Sequence, residues 1–142
     1  KMMFTSLLTV ESPFERLKAL GKTYLHFAIE HPDYYQVMFI LKDPMDYLDA
    51  RYTDECWEEG KQTFGLLVST VEECQRTGYF INEDPELFAL QAWALVHGLS
   101  SLFLTSRLQK VCTDDKIGDS GENLLESVFK TYIKFLEYTK NI

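Results

Sequence analysis

The residues best suited to chemistry in this 142-residue chain are an indole and an imidazole four positions apart, Trp93 and His97, followed by Gly98. On a helix that spacing puts both rings on one face, a turn apart. Such a pair offers an N–H donor and a second group that can donate or accept, inside an otherwise apolar wall. That is the chemistry of recognition rather than of bond breaking. Gly98 removes a side chain beside them, and close approach of a neighbouring backbone is expected there. Tyr24 and Tyr35 can add phenolic hydroxyls, while Phe27, Met38, Phe39, Trp57 and Phe64 can supply aromatic and thioether walls. The candidate ligand-contacting set is therefore Tyr24, Phe27, Tyr35, Met38, Phe39, Trp57, Phe64, Trp93 and His97.

Catalytic and metal chemistry find little to work with. There is no nucleophile elbow, phosphate-cradling loop, HExxH or paired ExxH motif, so no catalytic residue is assigned. His26 and Glu30 are four apart on one stretch, but spacing supplies no third ligand. The acidic run through Asp43, Asp46, Asp49, Asp54, Glu55, Glu58 and Glu59 lacks calcium-loop spacing and reads as a solvated face. Cys56, Cys74 and Cys112 are odd in number and widely separated, which argues against a disulfide framework and for a reducing, cytoplasmic setting. No metal and no cofactor are implied. A net charge of −8 argues against this segment gripping a phosphate backbone directly.

The elements that must position these groups read as helices throughout. With 46% hydrophobic residues but only 7 glycines and 4 prolines, the chain has enough apolar content for one core and too few turn residues for an all-β fold. Ser12-Pro13 predicts a helix start, with Phe14, Leu17, Leu20, Tyr24, Phe27 and Ala28 at helical spacing behind it. His31-Pro32 ends that stretch. A short aromatic helix is expected over Pro32 to Leu41, then an acidic connector over Met45 to Thr53. Asp54 is expected to cap the next helix, which Thr77-Gly78 stops. Asp84-Pro85 opens a fourth long helix, Val111 to Asp119 reads as a polar loop, and the last helix runs from about Ser120 to Thr139. The expected fold is all-α, a bundle of about five to six helices forming one domain over residues 1–142. The chain begins Lys1-Met2-Met3-Phe4 in patterned sequence. Residues 1–11 are accordingly expected to be the end of a helix entering from upstream.

Leu87 to Ser106 contains no Asp, Glu, Lys or Arg. Gln91, His97, Ser100, Ser101, Thr105 and Ser106 make it too polar for a lone membrane span, so no membrane partner is expected. A helix with no charged face is buried nearly all round, and a second copy of the chain is one way to bury it. The last helix carries two adjacent apolar rows, Leu124, Val128, Phe135 and Leu125, Phe129, Tyr132, Leu136. Two such helices per chain would form an intermolecular four-helix bundle, a twofold homodimer. The expected interface is Leu99, Phe103, Leu125, Val128, Phe129, Tyr132 and Leu136.

The run Gln91-Ala92-Trp93-Ala94-Leu95-Val96-His97-Gly98-Leu99 resembles the Trp-His-Gly subgroup of C-terminal domains in TetR-type transcriptional regulators. The stretches Pro13-Phe14-Glu15-Arg16-Leu17-Lys18-Ala19-Leu20, Phe27-Ala28-Ile29-Glu30-His31-Pro32-Asp33-Tyr34-Tyr35 and Met38-Phe39 look like that subgroup too, in the same order. The resemblance implies an effector-binding and dimerisation domain preceded by a helix-turn-helix DNA-binding domain that this chain lacks. It implies a small apolar or aromatic effector, and DNA contact only through the missing domain. Two other classes compete: a stand-alone helical carrier or interaction module, which upstream sequence would distinguish, and a helical enzyme, which would need polar groups converging in a cavity.

Overall fold

The computed structural model of the chain describes residues 12–36, 50–111 and 121–140. Every element among them is helical, in the order α1 (Pro13–Glu30), α2 (Pro32–Tyr35), α3 (Ala50–Arg76), α4 (Pro85–Leu104), α5 (Arg107–Val111) and α6 (Gly121–Tyr138). The expected entry helix, residues 1–11, lies outside the described residues, as do Met38, Phe39 and most of the acidic connector.

Both proline-led helix starts form as their sequences dictate. Ser12 Oγ accepts the Glu15 amide at 3.4 Å, with Pro13 occupying the position that has no amide to satisfy. Asp84 caps α4 more tightly, its carboxylate accepting from Glu86 N at 2.9 Å and Leu87 N at 3.0 Å. His31 ends α1, its amide bonding to Phe27 O before Pro32 begins α2. Asp54 does not cap α3. That helix already runs through it from Ala50, so residues 50–53, expected in the connector, belong to the helix together with Asp54. An apolar stripe that starts only at Trp57 hid the first turns of the helix.

At the other end of α3, Gly78 takes φ 104°, a left-handed conformation that glycine adopts without steric cost. Phe80 follows with φ 33°. It is held there by its amide donating to Thr139 Oγ1 at 3.1 Å, by Gln75 Nε2 reaching its carbonyl at 3.1 Å, and by a ring stack on Phe88 at 4.0 Å. The turn thereby ties α3, α4 and the end of α6 into one corner. Phe14 joins it by stacking on Tyr79 at 4.2 Å.

α1, α3 and α4 pack mutually, and α6 lies against α4 and α1. Phe14, Leu17 and Leu25 of α1, Val71 and Cys74 of α3, Phe88, Ala89, Val96 and Leu99 of α4, and Leu124, Leu125, Phe129, Ile133 and Leu136 of α6 form one continuous core. α6 approaches α1 closely because Gly21 leaves room for the Phe129 ring. Arg16 and Glu73 pair at 2.7 Å between α1 and α3.

α4 is long and apolar enough to cross a membrane, with a mean hydropathy of 1.6. Its apolar character has a nearer use, because Phe88, Ala89, Ala92, Val96, Leu99 and Ser100 are buried against the chain's other helices.

A tyrosine–histidine–tryptophan cluster at the candidate ligand site

Three helices bring four of the candidate residues to one point. Tyr24 comes from the middle of α1, Tyr35 from the end of α2, and Trp93 and His97 from successive turns of α4. The two phenol oxygens lie 2.9 Å apart. His97 Nδ1 stands 2.7 Å from the Tyr35 hydroxyl and 2.9 Å from that of Tyr24. Trp93 Nε1–H donates to the Tyr24 oxygen at 3.3 Å. Tyr35 Oη also lies 3.4 Å from the carbonyl oxygen of His97.

These distances fit a single direction of donation. Trp93 N–H donates to Tyr24, Tyr24 O–H to Tyr35, and Tyr35 O–H to His97 Nδ1 along the shortest contact. Nδ1 then acts as an acceptor, and the neutral imidazole carries its proton on Nε2; this tautomer is assigned from the hydrogen-bond geometry. The surroundings favour the uncharged forms. Burial pushes the His97 pKa down from its ordinary value. Burial likewise raises Tyr24, against smaller opposing effects of its bonds to Tyr35 and Trp93. Tyr35, with no solvent-exposed area, is raised further by burial and then by Tyr24, with Ser100 opposing. Near neutral pH the cluster is thus a set of uncharged donors and acceptors in an aromatic frame.

The frame extends from Trp93 to Phe64, whose ring centroids are 6.1 Å apart. Trp93 itself is 36% exposed, so one edge of the cluster reaches the surface. Phe27 sits farther along α1, half-buried, with its ring 5.2 Å from that of His31. Met38, Phe39 and the side chain of Trp57 are outside the described residues. Ser100 was missed by sequence reasoning. It is fully buried one turn beyond Val96, donates to that residue's carbonyl at 2.8 Å, and reaches Tyr35. Its place three residues after His97 on the same helix was the available signal.

Gly98 corrects an expectation. A Cβ built there meets nothing within 4 Å, so no neighbouring backbone approaches it among the described residues. One residue past His97 the helix has turned by roughly 100°, and the notch faces outward. The close glycine contact is at Gly21 instead, where an added Cβ would stand 2.5 Å from the Phe129 ring.

The seven residues expected at a dimer interface are buried or half-buried within the chain itself. Leu99, Leu125, Phe129 and Leu136 are buried in the chain's own core, with Phe103, Val128 and Tyr132 packed partly against it. Besides Trp93, the large apolar side chains exposed on these helices are Leu87, Leu90 and Leu102 on α4, and Phe135 and Tyr138 on α6. Ala94 and the Gly98 notch lie between those of α4.

Among the described residues, no group of three or more His, Cys, Asp or Glu is placed to hold a metal ion. Cys74 is buried, and its thiol is pushed up to about 12, mainly by burial and further by Glu73, so it is not an activated nucleophile. Two surface cavities lie away from the cluster: one beside the Phe80–Glu83 turn, the other between α1 and α6.

No curated protein and no solved structure matches the chain. A family profile does match, that of the Tetracyclin repressor-like, C-terminal domain, and it covers residues 17–128. Those residues take in Tyr24, Tyr35, Trp93, His97 and most of the helices just described, and the chain belongs to that family of all-helical regulator domains.

Proposed function

We propose that this chain is the effector-binding and dimerisation domain of a TetR-like transcriptional regulator of the Trp-His-Gly subgroup, acting in the cytoplasm through a separate helix-turn-helix domain joined to it by residues 1–11. The convergence of Tyr24, Tyr35, Trp93 and His97 from three helices carries the reading. Side chains so far apart in sequence meet at a polar point that is uncharged and walled by aromatic rings. That setting suits a small apolar or aromatic effector with one polar group to orient it.

The mechanism requires no bond chemistry. Effector entering beside the cluster favours one relative placement of α1 and α4, because it binds the two placements with different affinity. α1 leads directly back to the upstream segment. A shift in α1 therefore changes the separation of two DNA-reading heads in a homodimer, about 34–36 Å for adjacent major grooves. The outward apolar residues of α4 and α6 supply the dimer surface, two helices from each copy forming a bundle.

Titration with 1-naphthol, a neutral aromatic probe with one hydroxyl, tests this site. Fluorescence is followed in a Trp57→Phe background so that Trp93 reports alone. Saturable quenching, weakened in both Tyr35→Phe and His97→Gln, is expected. Absence of saturation, or identical titrations in all three proteins, would refute a ligand site at the cluster.

A further inference from the structure

α1 and α6 leave a groove that plays no part in the cluster. Beside the contact of Phe129 with Gly21, the two helices enclose a cavity of about 240 Å³. Its floor is apolar: Leu25, Leu125 and Phe129 are buried, and Ile29 is half-buried. Its rim is polar, with Lys22 and His26 one turn apart on α1 and Glu126 and Lys130 one turn apart on α6, all exposed.

On α1 the rim lysine differs from the two basic residues before it. On α1, Arg16 pairs with Glu73 at 2.7 Å and Lys18 with Glu15 at 2.9 Å. Lys22 and Lys130 have no ion-pair partner among the described residues, and Glu126 does not come within pairing distance of either. On a chain of net charge −8, two unpaired ammonium groups at the lip of an enclosed apolar floor are a local reversal of sign. Long lysine stems can lie along that floor while their charged ends converge on an anion at its mouth. The volume is below the roughly 300 Å³ at which drug-sized pockets begin, so the occupant is small. The single carboxylate of Glu126 on the rim disfavours a second negative charge on the ligand.

We propose that this groove binds a small amphipathic monocarboxylate, a short alkyl chain or one aromatic ring on the floor and its carboxylate between Lys22 and Lys130. The site is separate from the tyrosine–histidine–tryptophan cluster and stands whether or not the cluster binds an effector.

Octanoate, titrated into the full chain by calorimetry, is the test, with octan-1-ol and suberate (the eight-carbon dicarboxylate) as matched comparisons. Octanoate should bind saturably, and octan-1-ol and suberate more weakly. The double substitution Lys22→Gln/Lys130→Gln should weaken octanoate by at least about tenfold, and Lys134→Gln, one turn farther along α6 and outside the groove, should leave it unchanged. Both lysines are exposed, so the double variant should keep the wild-type circular dichroism; if it does not, Lys130→Gln alone carries the same expectation in direction. No saturable octanoate binding, equal binding of octan-1-ol, binding unchanged in the lysine variants, or an equal loss in Lys134→Gln would overturn the proposal.

Discussion

At the scale of single residues, the cluster shows why ring types and spacing were informative and why their partners were not. Trp93 and His97 were legible as a pair because α4 enforces the four-residue spacing. Tyr24 and Tyr35 were legible as members of the same candidate set, but their direct bonds to His97 and Trp93 were not, because periodicity gives the direction of a side chain around its own helix and not the neighbour it meets. The same limit hid Ser100 and the Arg16–Glu73 pair. Burial of the His97 ring has a consequence for stability. His97 is held below its ordinary pKa in the folded chain, so in acid the unfolded chain takes up a proton that the folded one resists. Its contribution is fully present above the unfolded pKa of about 6.5 and is lost as pH falls from there through the lowered folded value. Urea unfolding between pH 7.5 and 5 should therefore show a decline in stability that is shallower in His97→Gln. Equal slopes in the two proteins would mean that the imidazole is not buried as an acceptor.

At the scale of elements, helix starts were the most readable features. Ser12-Pro13 and Asp84-Pro85 each combine a capping oxygen with a residue that needs no cap, and both helices begin where those pairs fall. The start of α3 was misread because Asp54 has the chemistry of a cap without the position of one. Glycines were legible as special but not as to what each permits. Gly21 and Gly98 are both helical, yet one lies under the Phe129 ring and the other over open space. Alanine should act oppositely at the two. At Gly21 overpacking of about 1–3 kcal/mol exceeds the helix-propensity gain, since the Phe129 ring is buried and cannot swing away. At Gly98 only the gain of about 0.5–1 kcal/mol remains. Denaturant unfolding of both variants in a Phe135→Glu background, free of self-association, should give a loss for Gly21→Ala and a gain for Gly98→Ala. Changes of the same sign would show that the α1–α6 contact is looser than its geometry.

At the scale of the whole molecule, the all-helical bundle followed from the scarcity of glycine and proline, the apolar stripes and the family resemblance. The division of the last helix into inward and outward faces did not follow. α6 carries apolar residues on more than one row, and a broad stripe alone does not say which part meets the chain's own core. The structure divides it: Leu125, Phe129 and Leu136 turn inward, while Phe135 is 65% exposed and Tyr138 82%. On α4 the equivalent outward residues include Leu87, 62% exposed, and Leu90, 49% exposed. Apolar side chains this open on two packed helices are the surface we assign to a second copy. Charge at Phe129 should then unfold the chain, because it enters the core. Charge at Phe135 should leave the chain folded and remove only the partner.

Sedimentation velocity of the wild type and of Phe135→Glu at tens of micromolar tests that assignment most directly. A dimeric wild type and a folded, monomeric variant are the predicted result. A monomeric wild type, or a Phe135→Glu variant that sediments as a dimer, would contradict it.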